Sequence, residues 1–131
     1  QLIENYFTQA LRKKPVPSDV LFERIMQEVG RRQGVVSITQ LAAQFGTSVK
    51  TVERKFLTHV GLTPKKYAQS LRANYAVKAM LSNSTSNLTQ IAYQFGYFDQ
   101  AHFTKEIKAY TGLIPNQLLK QDLGVQSVVY Q

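Results

Sequence analysis

Apolar residues along the chain recur every three or four positions, and strand-like alternation is scarce, so the pattern predicts helices throughout. Residues 2–13 place Leu2, Ile3, Tyr6, Phe7, Ala10 and Leu11 on one helical face, and Pro15 and Pro17 end that helix in a stiff connection. Ser18 or Asp19 caps the next helix, to about Arg32, with Leu21/Ile25/Val29 and Phe22/Met26 at i,i+4 spacing and Gly34 as its breaker. Ser37 caps a helix over 38–45 that stops at Gly46, and Ser48 caps one to about Val60 that stops at Gly61. Thr63 followed by Pro64 opens the longest helix, to about Leu81 and roughly 27 Å in length. A polar loop over 82–87 follows. Asn87 caps 88–95, Asp99 caps a helix to about Thr111, Gly96 and Gly112 end these two, and Ile114-Pro115 starts a short last helix.

Within this pattern one phrase occurs twice. "ITQLAAQFG" at 38–46 returns as "LTQIAYQFG" at 88–96, identical at Thr39/Thr89, Gln40/Gln90, Ala42/Ala92, Gln44/Gln94, Phe45/Phe95 and Gly46/Gly96. The offset is fifty up to the glycine and fifty-one from Ser48/Asp99 onward, so the second turn has one extra residue. Both copies end in Gly-Leu-x-Pro, at Gly61 and Gly112. Each copy is therefore a short helix, a glycine turn, a capped second helix and a stop, which is the layout of a helix-turn-helix. Ala42 and Ala92 let paired helices approach, and Gly46 and Gly96 permit a positive-φ turn. Leu41, Phe45, Val52 and Phe56 are expected to form the first core, and Ile91, Phe95, Phe103 and Ile107 the second. Fold class follows: all-α, two helix-turn-helix subdomains joined by a long linker helix, each a homeodomain-like three-helix unit.

Charge narrows the choice of partner. The chain carries +8 overall, unevenly: residues 37–81 hold seven basic groups against Glu53, whereas 82–131 balance. A polyanion suits such a patch; a solvated basic face is the alternative reading. No run reaches the roughly 18–20 apolar residues of a membrane span, so no membrane partner is expected. The absence of cysteine excludes disulfides and thiolate metal sites and fits a reducing compartment. The start at Gln1 inside an amphipathic segment suggests a piece of a longer protein.

The residues from Ser37 to about Leu119 resemble the C-terminal DNA-binding domain of AraC/XylS-type transcriptional regulators. The features that carry the resemblance are Ala42…Gly46-x-Ser48, Val52-x-Arg54-x-Phe56, Gly61-x-x-Pro64-x-x-Tyr67, Arg72…Ala76…Leu81, Ile91-Ala92…Gly96-Tyr97-x-Asp99, Phe103-x-Lys105 and Gly112-x-x-Pro115. Lys105 and Ile107 depart from the Arg and Phe usual there, and Leu118 and Leu119 from the usual Tyr and Arg, which weakens the expected phosphate grip of the second unit. The resemblance implies 1–14 as the end of an upstream sensor domain, 15–36 as a connecting helix, 37–121 as the tandem helix-turn-helix domain and 122–131 as a tail. It also implies an activator or repressor in the bacterial cytoplasm, with RNA polymerase as a partner and any effector bound by a domain outside this chain.

If helices 48–60 and 99–111 enter successive major-groove segments of promoter DNA, their exposed N-terminal residues read bases. In the first these are Lys50, Glu53 and Arg54. Arg54 can fork onto guanine and Glu53 can accept from cytosine, while a Lys50–Glu53 surface pair is the plainer alternative. In the second they are Gln100, Ala101, His102, Thr104 and Lys105, with Gln100 suited to adenine and Ala101 to a thymine methyl. Expected phosphate contacts are Thr39, Gln40, Thr51, Lys55, Lys65, Lys66, Arg72, Thr89, Gln90 and Lys108, although Gln40 and Gln90 also suit capping roles and Arg72 an internal salt bridge. His59 and His102 have no companions at metal-ligand spacing, so neither a metal nor a cofactor is expected. Enzyme chemistry lacks any nucleophile–base pattern. A helical protein-interaction module is the alternative, which accounts for Tyr93, Tyr97 and Phe98 but not for the basic cluster.

Overall fold

The computed structural model describes residues 18–82 and 87–121, so the helix expected over 2–13 and the tail from 122 lie outside the described residues. The elements are α1 (Val20–Arg31), α2 (Ile38–Gln44), α3 (Val49–His59), α4 (Pro64–Ser82), α5 (Leu88–Gln94), α6 (Gln100–Thr111) and a last helix α7 over 115–121. No strand occurs among the described residues.

Each start from α1 to α6 is fixed by a side chain that accepts from an otherwise orphaned amide. Asp19, not Ser18, caps α1 through the Phe22 amide at 3.0 Å. Ser37, Ser48, Asn87 and Asp99 do the same for α2, α3, α5 and α6. Thr63 accepts from the Lys66 amide at 3.2 Å, with Pro64 in the first helical position of α4. Gly46 at φ 64° and Gly96 at φ 76° make the same turn, where a side chain would be strained.

The chain divides into two compact units, 1–71 and 72–131, with the boundary inside α4. In the first unit Phe22, Ile25 and Val29 of α1 are buried together with Leu41, Ala42, Val52, Phe56, Val60, Tyr67 and Leu71. The Phe22 ring meets Phe56 edge-on at 5.1 Å, so α1 is an integral third helix of this unit. In the second unit Ala73, Ala76 and Met80 of α4 are buried with Ile91, Ala92, Phe95, Tyr97, Phe103 and Ile107.

The two sets of buried positions share one register. Phe22, Ile25 and Val29 lie fifty-one residues before Ala73, Ala76 and Met80. The later half of α4 thus does for the second unit what α1 does for the first, and the repeated element is a three-helix unit. Packing volume is redistributed between the copies. Where α1 supplies Phe22 and Ile25, Phe45 is only half-buried and Thr47 stands in the turn. Where α4 supplies alanines, Phe95 and Tyr97 are buried instead. The expectation that Phe45 sits in the core is corrected on this point: its side chain is only half-buried, where its counterpart Phe95 is buried.

Candidate nucleic-acid interface

In each unit the second helix of the repeat, α3 or α6, buries one stripe and exposes the rest. On α3, Val52, Phe56 and His59 point inward, and Lys50, Glu53 and Arg54 are exposed. On α6, Phe103 and Ile107 point inward, and Gln100, Ala101, His102, Lys105 and Lys108 are exposed, with Thr104 half-exposed. The fifty-one-residue register aligns Arg54 with Lys105, Lys50 with Ala101 and Glu53 with Thr104. The expected base-reading residues therefore share the outward face at the start of each helix.

Two polar contacts order the tip of α6. The Thr89 hydroxyl on α5 donates to Gln100 Oε1 at 2.9 Å, which ties the exposed amide to the preceding helix. The Phe98 amide donates to His102 Nδ1 at 3.1 Å, so the neutral ring carries its proton on Nε2. At the matching place on α3, Ser48 Oγ accepts from the Thr51 amide and donates to the Thr51 hydroxyl. Thr51 is thereby part of the cap and only half-exposed.

Two of the expected phosphate ligands have other partners. Lys55 Nζ lies 2.6 Å from Asp19 Oδ2 and keeps 19% of its side-chain surface, joining α3 to the start of α1. Arg72 grips both Glu106 oxygens, Nη2 at 2.6 Å and Nε at 3.2 Å, and its guanidinium lies 4.2 Å from the centre of the Tyr97 ring. The Tyr97 hydroxyl also donates to Glu106. Both cations are paired inside their own units, and of the two readings of Arg72 the internal salt bridge is formed. Lys55 and Glu106 occupy the same register position on α3 and α6. Each unit thus ties this position to the helix beneath it, with the charges reversed.

The electrostatics follow from these pairs. Hydrogen bonding by Lys55 holds the Asp19 carboxyl below the ordinary carboxylate range, against the opposing effect of burial. Burial, and then the Glu106 carboxylate, push the Tyr97 phenol above its ordinary value. His59, also against Asp19 at 3.3 Å, stacks flat on Phe22 with 4.5 Å between ring centres, a packing role.

Lys65, Lys66 and Lys108, the other basic residues expected at phosphates, are exposed. Lys65 and Lys66 are exposed in the first turn of α4, which contains no acidic residue. Positive charge at a helix N-terminus opposes the macrodipole, so this placement carries a cost that an external anion would offset. Thr39, Gln40, Thr89 and Gln90 are exposed at the starts of α2 and α5. The Gln40 and Gln90 amides are taken by Ser37 and Asn87, while their side chains face solvent.

These paired units, each with a leading helix packed through two buried residues and a second helix with an exposed polar face, define a tandem helix-turn-helix protein. A family model described as a helix-turn-helix domain matches residues 41–121. The XylDLEGF operon transcriptional activator 2 of Pseudomonas putida is 28% identical over 123 residues, covering 91% of this chain and 78% of that protein. The HTH-type transcriptional activator RhaS of Salmonella arizonae is 39% identical over 64 residues, which span 49% of this chain but only 23% of that protein. A solved AraC-type DNA-binding domain-containing regulator from Chromobacterium violaceum shares the fold, with a TM-score of 0.64 at 22% identity over 76% of this chain and 93% of that one. The chain belongs to the AraC/XylS family of helix-turn-helix transcription regulators. Its function is sequence-specific DNA binding in the regulation of transcription.

Sequence reasoning did not find the register shared by α1 and α4, nor the pairs that hold Lys55 and Arg72. The first had a usable signal, since three buried positions recur at the repeat offset. Their side chains differ too much in size for an identity search to detect them.

Proposed function

We propose that one chain reads promoter DNA with both units, α3 and α6 each entering one of two successive major-groove segments. The observation that carries this reading is the matched exposure of Arg54 and Lys105 on the outward faces of equivalent helices. α4 runs 19 residues, about 28 Å, and is shared by the two units, so one chain carries both exposed helices. Base reading falls to Lys50, Glu53 and Arg54 in the first unit and to Gln100, Ala101, His102, Thr104 and Lys105 in the second. Phosphate contacts fall to Thr39, Gln40, Thr51, Lys65, Lys66, Thr89, Gln90 and Lys108, while Lys55 and Arg72 are engaged in internal ion pairs. Any effector is bound outside the two helix-turn-helix units. The setting is the bacterial cytoplasm, with RNA polymerase as the protein partner; among the described residues no helix is long and apolar enough to cross a membrane.

Selection from a random DNA pool, followed by a salt titration on the selected site, tests this reading. Neutralising about six phosphates gives a slope of log K against log salt near −5. Binding that selects no sequence, or does not respond to salt, contradicts it and favours the protein-interaction alternative.

A further inference from the structure

The two copies of the repeat differ by one residue in the turn, and the backbone identifies it. The Thr47 amide donates to the Ala42 carbonyl at 2.9 Å, and the Tyr97 amide donates to the Ala92 carbonyl at 2.9 Å. Thr47 and Tyr97 are therefore equivalent. After Thr47 the first unit goes directly to its cap, Ser48, whereas the second inserts Phe98 before Asp99.

Phe98 is also 92% exposed. An apolar residue just before an N-cap ordinarily folds back onto the fourth helical residue, which on α6 is Phe103. Here that place is taken: the Tyr97 ring meets Phe103 edge-on at 5.1 Å, and Phe103 is fully buried. The Phe98 backbone N–H is held by its hydrogen bond to His102 Nδ1, while its side chain is left exposed. Leaving a phenyl ring exposed forgoes the gain of burying it, so a surface that covers it would recover that gain.

The geometry points to Phe98 as a further specificity-determining residue, which packs on thymine methyl groups in the major-groove segment entered by α6. This rests on the reading that α6 enters DNA. The tip of such a helix goes in first, and Phe98 immediately precedes that tip. Among base edges in the major groove, the thymine 5-methyl is the one apolar feature that a phenyl ring can cover. The first unit, with Thr47 and no inserted residue, lacks this contact. The second unit, poorer in basic groups, thus reads its segment more by apolar contact and less by charge.

Deoxyuridine substitution tests this, because it removes only the methyl group. The probe is the DNA selected by the whole chain, with each thymine of the α6 segment replaced singly by deoxyuridine and binding followed by fluorescence anisotropy. The wild type should lose about fourfold in affinity at one or more positions, the fold-change equivalent to unburying one methyl. Phe98→Ala should bind the thymine site more weakly and lose the difference between thymine and deoxyuridine at those positions. Phe98→Leu should retain it in part. Since Phe98 is exposed, the variants fold, and circular dichroism checks this. The inference is overturned if the wild type ignores every deoxyuridine, or if Phe98→Ala keeps the full penalty, which would assign the methyl to Ala101. It is also overturned if Phe98→Ala binds DNA like the wild type but loses transcriptional activation, which would place a protein surface on the ring. Failure of the wild type to bind any selected DNA overturns the groove reading itself and is distinct from these outcomes.

Discussion

Arg72 and Glu106 form a two-pronged ion pair, with Arg72 Nη2 at 2.6 Å and Nε at 3.2 Å from separate carboxylate oxygens. The pair is mostly withdrawn from water, at 14% and 12% side-chain exposure, and it joins α4 to the middle of α6. It braces α6 against α4. Removing one partner leaves a desolvated charge, whereas removing both does not. Arg72→Ala should therefore cost about 2–3 kcal/mol in chemical denaturation, and Arg72→Met with Glu106→Leu should recover most of it. Equal losses in the single and double variants would show that the pair does not act as a unit.

Tyr97 makes the same site sensitive to alkali. Its phenol is raised in the folded chain by burial and by Glu106, so the folded state resists losing that proton. The associated stability is complete below the unfolded phenol value of about 10 and declines as pH rises above it. Denaturant midpoints measured between about pH 8 and 11 should fall more steeply for the wild type than for Tyr97→Phe. Parallel profiles would contradict the assignment.

The first unit responds to acid instead. Asp19 is depressed by its bond to Lys55, so its contribution is present above the unfolded carboxylate value, about 4, and is lost as pH falls through the folded one. Asp19→Asn keeps a competent cap but should flatten the acid limb of the stability profile. Asp19→Ala loses cap and ion pair together and should cost about 1–3 kcal/mol. Lys55→Ala should lower stability with little change in the salt slope of DNA binding. A slope reduced by one would return Lys55 to the phosphate set.

Among exposed residues the predicted effects divide by role. Arg54→Ala should cost about 1–3 kcal/mol of binding and relax preference at one base pair. Lys65→Ala with Lys66→Ala should weaken binding to all sequences alike and reduce the salt slope by about 2. Competition against randomised sites separates the two. If Arg54→Ala leaves both affinity and preference unchanged, the base-reading assignment fails.

Much of the fold was legible because the determinants are local. Capping residues, stop glycines and apolar spacing mark each helix within a residue or two, and the repeated phrase marks the two units. Partner choice was not legible. Lys55 and Arg72 look like any basic residue beside a DNA-binding helix, and nothing in the pattern says that Asp19, thirty-six positions away from Lys55, will claim one of them. The charge reversal between Lys55 and Glu106 hides their equivalence, as the exchange of Phe22 for Ala73 hides that of α1 and α4. The extra residue in the second turn was countable from the sequence. Its identity as Phe98 needed the two matching turn hydrogen bonds.

The central claim is that one chain engages two major-groove segments about one turn apart. Inserting five base pairs between the two protected segments of the selected site tests it most directly, since this rotates one segment to the opposite face of the duplex. The account predicts a wild-type footprint of two segments and, after insertion, affinity reduced at least about tenfold to that of a single segment. An unchanged affinity, or protection of one segment only on the original site, would contradict it.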